Sequence, residues 1–340
     1  MATKTTMALV GLGAIGVGAH LPALLRHPGV ELTGLVDVDA ARRARAAELV
    51  SGRLPTFASL DDLPAVDAVV VATPPWVTPV LARTVLERGG YVLVEKPVAT
   101  SVEAATSILD LPPELLGRLQ VGLTYRHDPA IARLRTWIEQ RRLGDGPILV
   151  RAHIYDEVRD EADAAHLALI GTTLEHGSPA LHEGSHVFDW LSHVLGGDGR
   201  LEDGWAVRTA ADLAAPNLVG GRLSYPDGSQ ALVEFGWFTT ALPPCELTFV
   251  GDAATVRLDG HTFDLTITGR DGEDVVRFEG ERVPRSFDRQ LDAFVGGIQS
   301  GSRRLSPTWE EGLRALAASE ALDRRVRATP AGVDGGRWAR

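Results

Sequence analysis

The sequence predicts two domains, an α/β domain with a parallel sheet and then an α+β domain with a large, mostly antiparallel open sheet. Three observations predict this. The chain has 340 residues, which suits two cores better than one. Its first third alternates short β-branched runs with helical patterns, as βαβ units do. Between about residues 222 and 278, strand-like runs are separated by Asp227-Gly228, Gly251-Asp252, Asp259-Gly260 and Asp271-Gly272, the turn pairs of hairpins.

The elements follow in order. Met7–Gly11 reads as a buried strand and Ala14–Arg26 as a helix. Glu31–Val36 is a second strand, with a helix from about Asp39 to Val50. Ala68–Ala72 is a third strand, a helix runs from about Val77 to Gly89, and Tyr91–Val94 is a further strand. Gln120–Leu123 completes the parallel series. Pro129–Arg141 reads as a helix and Pro147–Tyr155 as a strand. From Asp156 to Ala180 the periodicity is weak, with many acids and several histidines. This stretch reads as irregular or partly helical, lying over a site. Two helical patterns close the chain, Phe287–Gln299 and Thr308–Val326. Ser300-Gly301-Ser302 ends the first, and Pro307 sits near the start of the second. The expected domains are 1–124 and 125–340, with the C-terminal helices able to pack back on the first.

Composition narrows the function classes. Hydrophobic residues are 44% and charged residues 23%, ordinary values for a globular protein. No apolar run approaches the ~20 residues needed to span a bilayer, and no secretory pattern precedes the first strand. The single cysteine, Cys245, excludes an internal disulfide and a cysteine-based zinc site. A cytoplasmic location and no membrane partner are expected. The net charge of −11 argues against a nucleic-acid surface, which needs clustered basic residues. Arg42-Arg43-Ala44-Arg45 is short and reads as a solvated helix face.

Gly11-Leu12-Gly13-Ala14-Ile15-Gly16 is a G-x-G-x-x-G motif between a predicted strand and a predicted helix. Gly11 allows a tight turn. Gly13 lets a pyrophosphate approach the backbone, and Gly16 lets the helix pack against the strand. The helix start, with Ala14 and Ile15, offers free N–H groups to phosphates. Asp37 ends the second strand, 21 residues after Gly16. A carboxylate there accepts hydrogen bonds from ribose hydroxyls and repels a 2′-phosphate, so NAD is expected over NADP. Together these features make a Rossmann nucleotide-binding domain.

Two strand ends carry Ala72-Thr73-Pro74-Pro75 and Glu95-Lys96-Pro97. With the glycine motif they resemble the Gfo/Idh/MocA family of oxidoreductases. Val121-Gly-Leu-Thr-Tyr-Arg126 is similar to the family's strand after the nucleotide domain. Leu181-His-Glu-Gly-Ser-His186-Val-Phe-Asp189 is similar to its active-site segment, and Phe287 to Leu322 to its C-terminal helices. The resemblance implies hydride transfer between a nicotinamide and a carbinol carbon of a sugar, sugar derivative or cyclitol. It puts the family's lysine on Lys96 and its histidine on His186. It also implies sheet-to-sheet association into a homodimer or homotetramer.

The chemistry of these residue types agrees with the implied roles. Oxidising an alcohol needs a base for the hydroxyl proton, and an unperturbed imidazole has a pKa of about 6.5. A lysine at a parallel strand's C-terminal end lies where such sheets bind ligands, and its ammonium stabilises a developing alkoxide. Thr73, Pro74 and Glu95 are expected to shape the nicotinamide side. Arg126 and Trp76 are expected near nicotinamide or substrate. The chain departs from the family pattern at two positions. His182 stands where an aspartate is common, with Glu183 beside it as a possible substitute. Thr78 stands where a histidine is common.

Two competing readings remain. His182-Glu183-Gly184-Ser185-His186 is literally H-E-x-x-H, the zinc hydrolase motif. Gly184 and Ser185 suit a helix start, and the apolar pattern begins only at Val187, so His182 is expected before the helix rather than one turn along it. A regulator or scaffold of the same fold would be marked by loss of the lysine or histidine, and this chain keeps both. His153, His166, His176 and His193 are too dispersed for a metal set, although His166 and His176 could line a pocket.

Overall fold

The computed structural model describes residues 4–160, 162–209, 213, 215–239 and 241–328. The chain opens with β1 (Thr5–Val10), α1 (Leu21–Arg26), β2 (Val30–Val36), α2 (Ala40–Leu49), β3 (Thr56–Phe57) and β4 (Ala68–Val71). Next come α3 (Thr78–Glu87), β5 (Tyr91–Glu95), α4 (Val102–Thr106), α5 (Pro113–Leu116), β6 (Leu119–Gly122) and α6 (Pro129–Glu139). The middle holds β7 (Leu149–Val158), α7 (Ala164–His176), α8 (Pro179–Leu195), β8 (Arg200–Val207), β9 (Leu218–Ser224) and β10 (Gln230–Thr239). Four hairpin strands follow, β11 (Glu246–Val250), β12 (Ala254–Asp259), β13 (Leu265–Gly269) and β14 (Gly272–Val276). The helices α9 (Arg282–Gln299) and α10 (Trp309–Ala328) close the order.

The chain forms two compact units. One joins the residues up to Ala132 with Glu279–Leu316. The other joins Arg133–Phe278 with the chain from Ala317. The first unit therefore runs to Ala132 rather than 124 and takes in α9, one of the C-terminal helices that the sequence reading left able to pack back on it. The α9 residues Phe287, Leu291, Phe294 and Val295 pack there with Leu9, Leu24 and Leu93. That is the i, i+4, i+7, i+8 stripe of a helix with one buried face.

In the first unit six parallel strands run in the order β3-β2-β1-β4-β5-β6. The sheet is a Rossmann sheet. All four residues of β4 are buried, as are four of five in β5, because a parallel sheet is covered on both faces. The chain order reverses between β1 and β4, the switch point at which such sheets bind ligands beyond their carboxyl ends.

In the second unit eight strands run in the order β14-β13-β12-β11-β7-β10-β9-β8. Every pairing is antiparallel except β7 with β10. The four Asp/Gly pairs fall at the turns joining β9 to β10, β11 to β12, β12 to β13 and β13 to β14. The strand β8 follows Asp198-Gly199 and contains Asp203-Gly204, and it is absent from the sequence reading. It pairs Trp205 with Gly220, where a Cβ would stand 2.4 Å from the indole. That strand glycine admits the ring of its neighbour.

The region expected to be irregular contains α7, a helix of 13 residues capped by the Asp163 side chain on the His166 N–H. The helix α8 also starts earlier than expected, at Pro179, with Ser178 as N-cap. His182 is thus inside the helix, which corrects the expectation that it precedes it. Gly184 and Ser185 are interior positions. A Cβ at Gly184 would stand 2.7 Å from Ser319 Oγ and 2.9 Å from the Phe188 ring, so tertiary packing explains this glycine. No helix among the described residues is long and apolar enough to cross a membrane.

Candidate active site

In the first unit the glycine turn follows β1 directly. Gly11 has φ +95°, and a Cβ there would stand 2.3 Å from the Ala72 carbonyl oxygen. A Cβ at Gly16 would stand 2.0 Å from the Gly11 oxygen. At Gly13 a Cβ would meet nothing within 4 Å. Gly11 and Gly16 are therefore required by the fold, and Gly13 lines open space beside the helix start. Ala14 and Ile15 are exposed there. This arrangement fits a dinucleotide: the open space at Gly13 admits a pyrophosphate, and the helix start supplies N–H donors.

Asp37 lies at the carboxyl end of β2 and is 7% exposed. Its Oδ2 accepts from the Leu12 N–H at 2.8 Å, inside the glycine turn, and its Oδ1 accepts from the Asp39 N–H at 2.8 Å. One carboxylate thus fixes both loops. Each oxygen has a second lone pair, so a ribose hydroxyl can still be accepted. The Arg42 guanidinium is 3.8 Å from Asp37 Oδ2 and half exposed, while Arg43 donates to the Asp37 and Val38 carbonyls.

After β4, Thr73 and Pro74 form the next loop at the switch point. Thr78 is fully buried beneath it and bonds to the Thr73 and Pro74 carbonyls at 3.4 and 3.2 Å. The position where the resembled family often has a histidine therefore holds a structural hydroxyl. Trp76 is 68% exposed on the same loop.

Lys96 follows β5 and is half-buried. Glu95 does not face open space. Its Oε2 accepts from the Lys96 N–H at 3.0 Å, and its Oε1 lies 2.7 Å from His20 Nε2. Sequence reasoning missed His20, because a lone histidine after a glycine motif carries no signal of its own. Arg126 pairs with Glu311, whose carboxylate also accepts from the Thr308 N–H at 2.7 Å while the Thr308 hydroxyl accepts from the Glu311 N–H. This is a capping box at the start of α10. Burial alone would raise the Glu311 carboxyl, but the Arg126 and Thr308 hydrogen bonds and the nearby guanidinium charges outweigh it and hold it below its ordinary value.

In the second unit, α8 carries His182, Glu183 and His186. The His182 ring stacks on Trp237 at 5.3 Å, and His186 stacks on Trp190 at 6.0 Å. Trp237 Nε1 donates to Asp156 Oδ1 at 2.8 Å. His166 on α7 lies 2.9 Å from Glu157 on β7. Burial pushes the Glu157 carboxyl up, against the pull of His166, and the Glu183 charge adds to the rise. His153 pairs with Glu234, and His193 lies 3.5 Å from Arg135. The His176 side chain lies outside the described residues. His182 and His186 share one helix, but among the described residues no three His, Cys, Asp or Glu side chains are grouped to hold a metal ion. The missed signal for the α8 start was Ser178-Pro179, an N-cap followed by proline at the first helical position.

Residues 5–123 match the model of the oxidoreductase family with an NAD-binding Rossmann fold, Gfo/Idh/MocA. The inositol 2-dehydrogenase of Corynebacterium glutamicum (strain R) is 34% identical over 151 residues, which is 43% of this chain and 44% of that protein. That alignment thus spans less than half of the relative. The rhizopine catabolism protein MocA of Rhizobium meliloti is 27% identical over 327 residues, 94% of each chain. The scyllo-inositol dehydrogenase of Lactobacillus casei, solved with NAD(H) and scyllo-inositol, superposes with a TM-score of 0.77 at 19% identity, covering 96% of this chain and 97% of that one. At that identity the likeness is one of fold. The glycine turn, the Asp37 anchor and the two strand-end loops all lie within residues 5–123, the segment that matches the Gfo/Idh/MocA family model.

Proposed function

We propose that this chain is an oxidoreductase that uses NAD, in preference to NADP, to oxidise or form a carbinol in a sugar, sugar derivative or cyclitol. The observation that carries the reading is the position of Lys96. It stands at the carboxyl end of β5, two strands from the glycine turn, at the sheet edge where the Asp37-anchored loop and the Thr73-Pro74 loop also end. The relatives named as inositol dehydrogenases support the polyol class.

NAD, when bound, supplies the hydride acceptor. Gly11, Gly13, Ala14, Ile15, Gly16 and Asp37 hold the dinucleotide, Thr73 and Pro74 shape its nicotinamide side, and Glu95 acts there through the Lys96 backbone it holds. Lys96 donates to the reacting oxygen and stabilises its developing negative charge. His186 accepts the hydroxyl proton, with His182 and Glu183 binding or assisting. Trp76 and Arg126 border the substrate. A homodimer or homotetramer in the cytoplasm completes the reading.

The test is NAD⁺ reduction over a panel of sugars and cyclitols, with Lys96→Met in parallel. Turnover of one substrate class by the wild type, lost in Lys96→Met while NADH affinity is kept, supports the reading. Equal turnover in Lys96→Met removes the lysine from the chemistry. NADH binding without turnover of any panel member turns the reading towards a nucleotide-binding regulator.

A further inference from the structure

The glycine-turn helix contains a π-helical turn, Gly16–His20, closed by a hydrogen bond from the Leu21 N–H to the Gly16 oxygen. Such turns insert a residue into a helix and occur often at functional sites. Here the turn ends on His20, which is 3% exposed. Its Nε2 meets Glu95 Oε1 at 2.7 Å, and its ring stands edge-on to Phe287 at 4.9 Å. The other oxygen of Glu95 accepts from the Lys96 N–H at 3.0 Å. Gly122 borders the same carboxylate, where a Cβ would stand 3.2 Å from Glu95 Oε1. The carboxylate is thus held on three sides. An uninterrupted path runs from the helix that follows the glycine turn, through His20 and Glu95, to the backbone of the lysine.

We propose that His20 is a positioning residue for Lys96. Its imidazole fixes the Glu95 carboxylate, and the carboxylate fixes the turn that presents the lysine. The inference rests on the reading of Lys96 as the group that polarises the reacting oxygen. Buried hydrogen-bonded pairs of this kind specify one arrangement, because any alternative leaves a buried polar group unpaired. A helix that merely packed on the sheet would place an apolar side chain at this position.

The chain offers a direct readout, because it has two lysines, Lys4 and Lys96. Lys4 is exposed and serves as the internal reference. Trinitrobenzenesulfonate labelling of the full chain, followed by peptide mass spectrometry, gives the Lys96-to-Lys4 rate ratio without any substrate. The variants are His20→Asn and His20→Gln. Both are polar and keep the helix. The glutamine amide reaches the place of Nε2, and the shorter asparagine does not. His20→Asn is expected to raise the ratio about fivefold, the loosening that loss of one net hydrogen bond allows. In the turnover assay its kcat falls more than its NADH affinity or substrate KM changes, and His20→Gln restores both readouts. An unchanged ratio in His20→Asn, or an equal rise in both variants, overturns the proposal. Turnover in Lys96→Met separately tests the reading beneath it, so the two ideas fail on different measurements.

Discussion

At Gly13 an added Cβ meets open space, whereas at Gly16 it meets the Gly11 carbonyl oxygen at 2.0 Å. The same substitution therefore has different consequences at the two positions. Gly13→Ala is expected to leave the melting temperature unchanged and weaken NADH binding about tenfold, or ~1.4 kcal/mol. Gly16→Ala is expected to destabilise the fold itself by ~1–3 kcal/mol, the usual range for overpacking. Thermal melts and NADH fluorescence titrations on both variants check this. Asp37 combines the two roles. Asp37→Ala leaves the buried Leu12 N–H without its acceptor, at ~1–3 kcal/mol, so stability and NAD affinity should fall together. Asp37→Asn keeps an acceptor oxygen and removes only the charge. Its expected signature is a narrower gap between NAD⁺ and NADP⁺ affinity at nearly wild-type stability. Unchanged affinities for both dinucleotides would take Asp37 out of the site.

Elements owe their ends to side chains, and the start of α10 is the clearest case. Thr308 and Glu311 form its capping box, and Arg126 pairs with the Glu311 carboxylate. Because the folded Glu311 carboxyl lies below its ordinary value, its contribution to stability is present above the unfolded pKa of about 4.3. That contribution is lost as pH falls through the folded value. Arg126→Gln should thus lower the melting temperature at pH 7, by an amount equivalent to ~1 kcal/mol or less for a partly exposed pair. The difference from wild type should shrink on acidification below pH ~4. A constant difference from pH 7 to pH 3 would mean that Arg126 stabilises by packing alone. Elements also mark where sequence patterns were read correctly and where they misled. The parallel strands were legible because burial on both faces makes them continuous apolar runs, as Val69-Val70-Val71 shows. The start of α8 was misread because Gly184 looked like a boundary. Its lack of a side chain answers instead to Ser319, 135 residues away in the chain, and to the Phe188 ring one turn along the helix.

On the scale of the molecule, the residues proposed to hold the dinucleotide all belong to the first unit and the residues of α8 to the second. Ligand binding stabilises the unit that binds it by RT ln(1 + [L]/Kd), ~2.7 kcal/mol at a hundredfold excess over Kd. Hydrogen exchange with and without NADH should show new protection in the first unit, centred on residues 11–16, on the end of β2 and on residues 73–76. Protection confined to the second unit would contradict the assignment of the nucleotide site.

The sequence alone determined the alternation of strands and helices, the glycine turn, the acid at the end of β2 and the hairpin turns. These depend on local periodicity and on residues whose backbone demands are local, so neighbours in sequence suffice to reveal them. Tertiary structure alone decided that β7 and β10 pair in parallel and that Arg126 docks on the cap of α10. It also decided that Glu95 turns to His20, 75 residues away in the chain. Each of these joins groups far apart in sequence, and nothing in a local pattern states which distant partner a buried polar group must find to satisfy its hydrogen bonds.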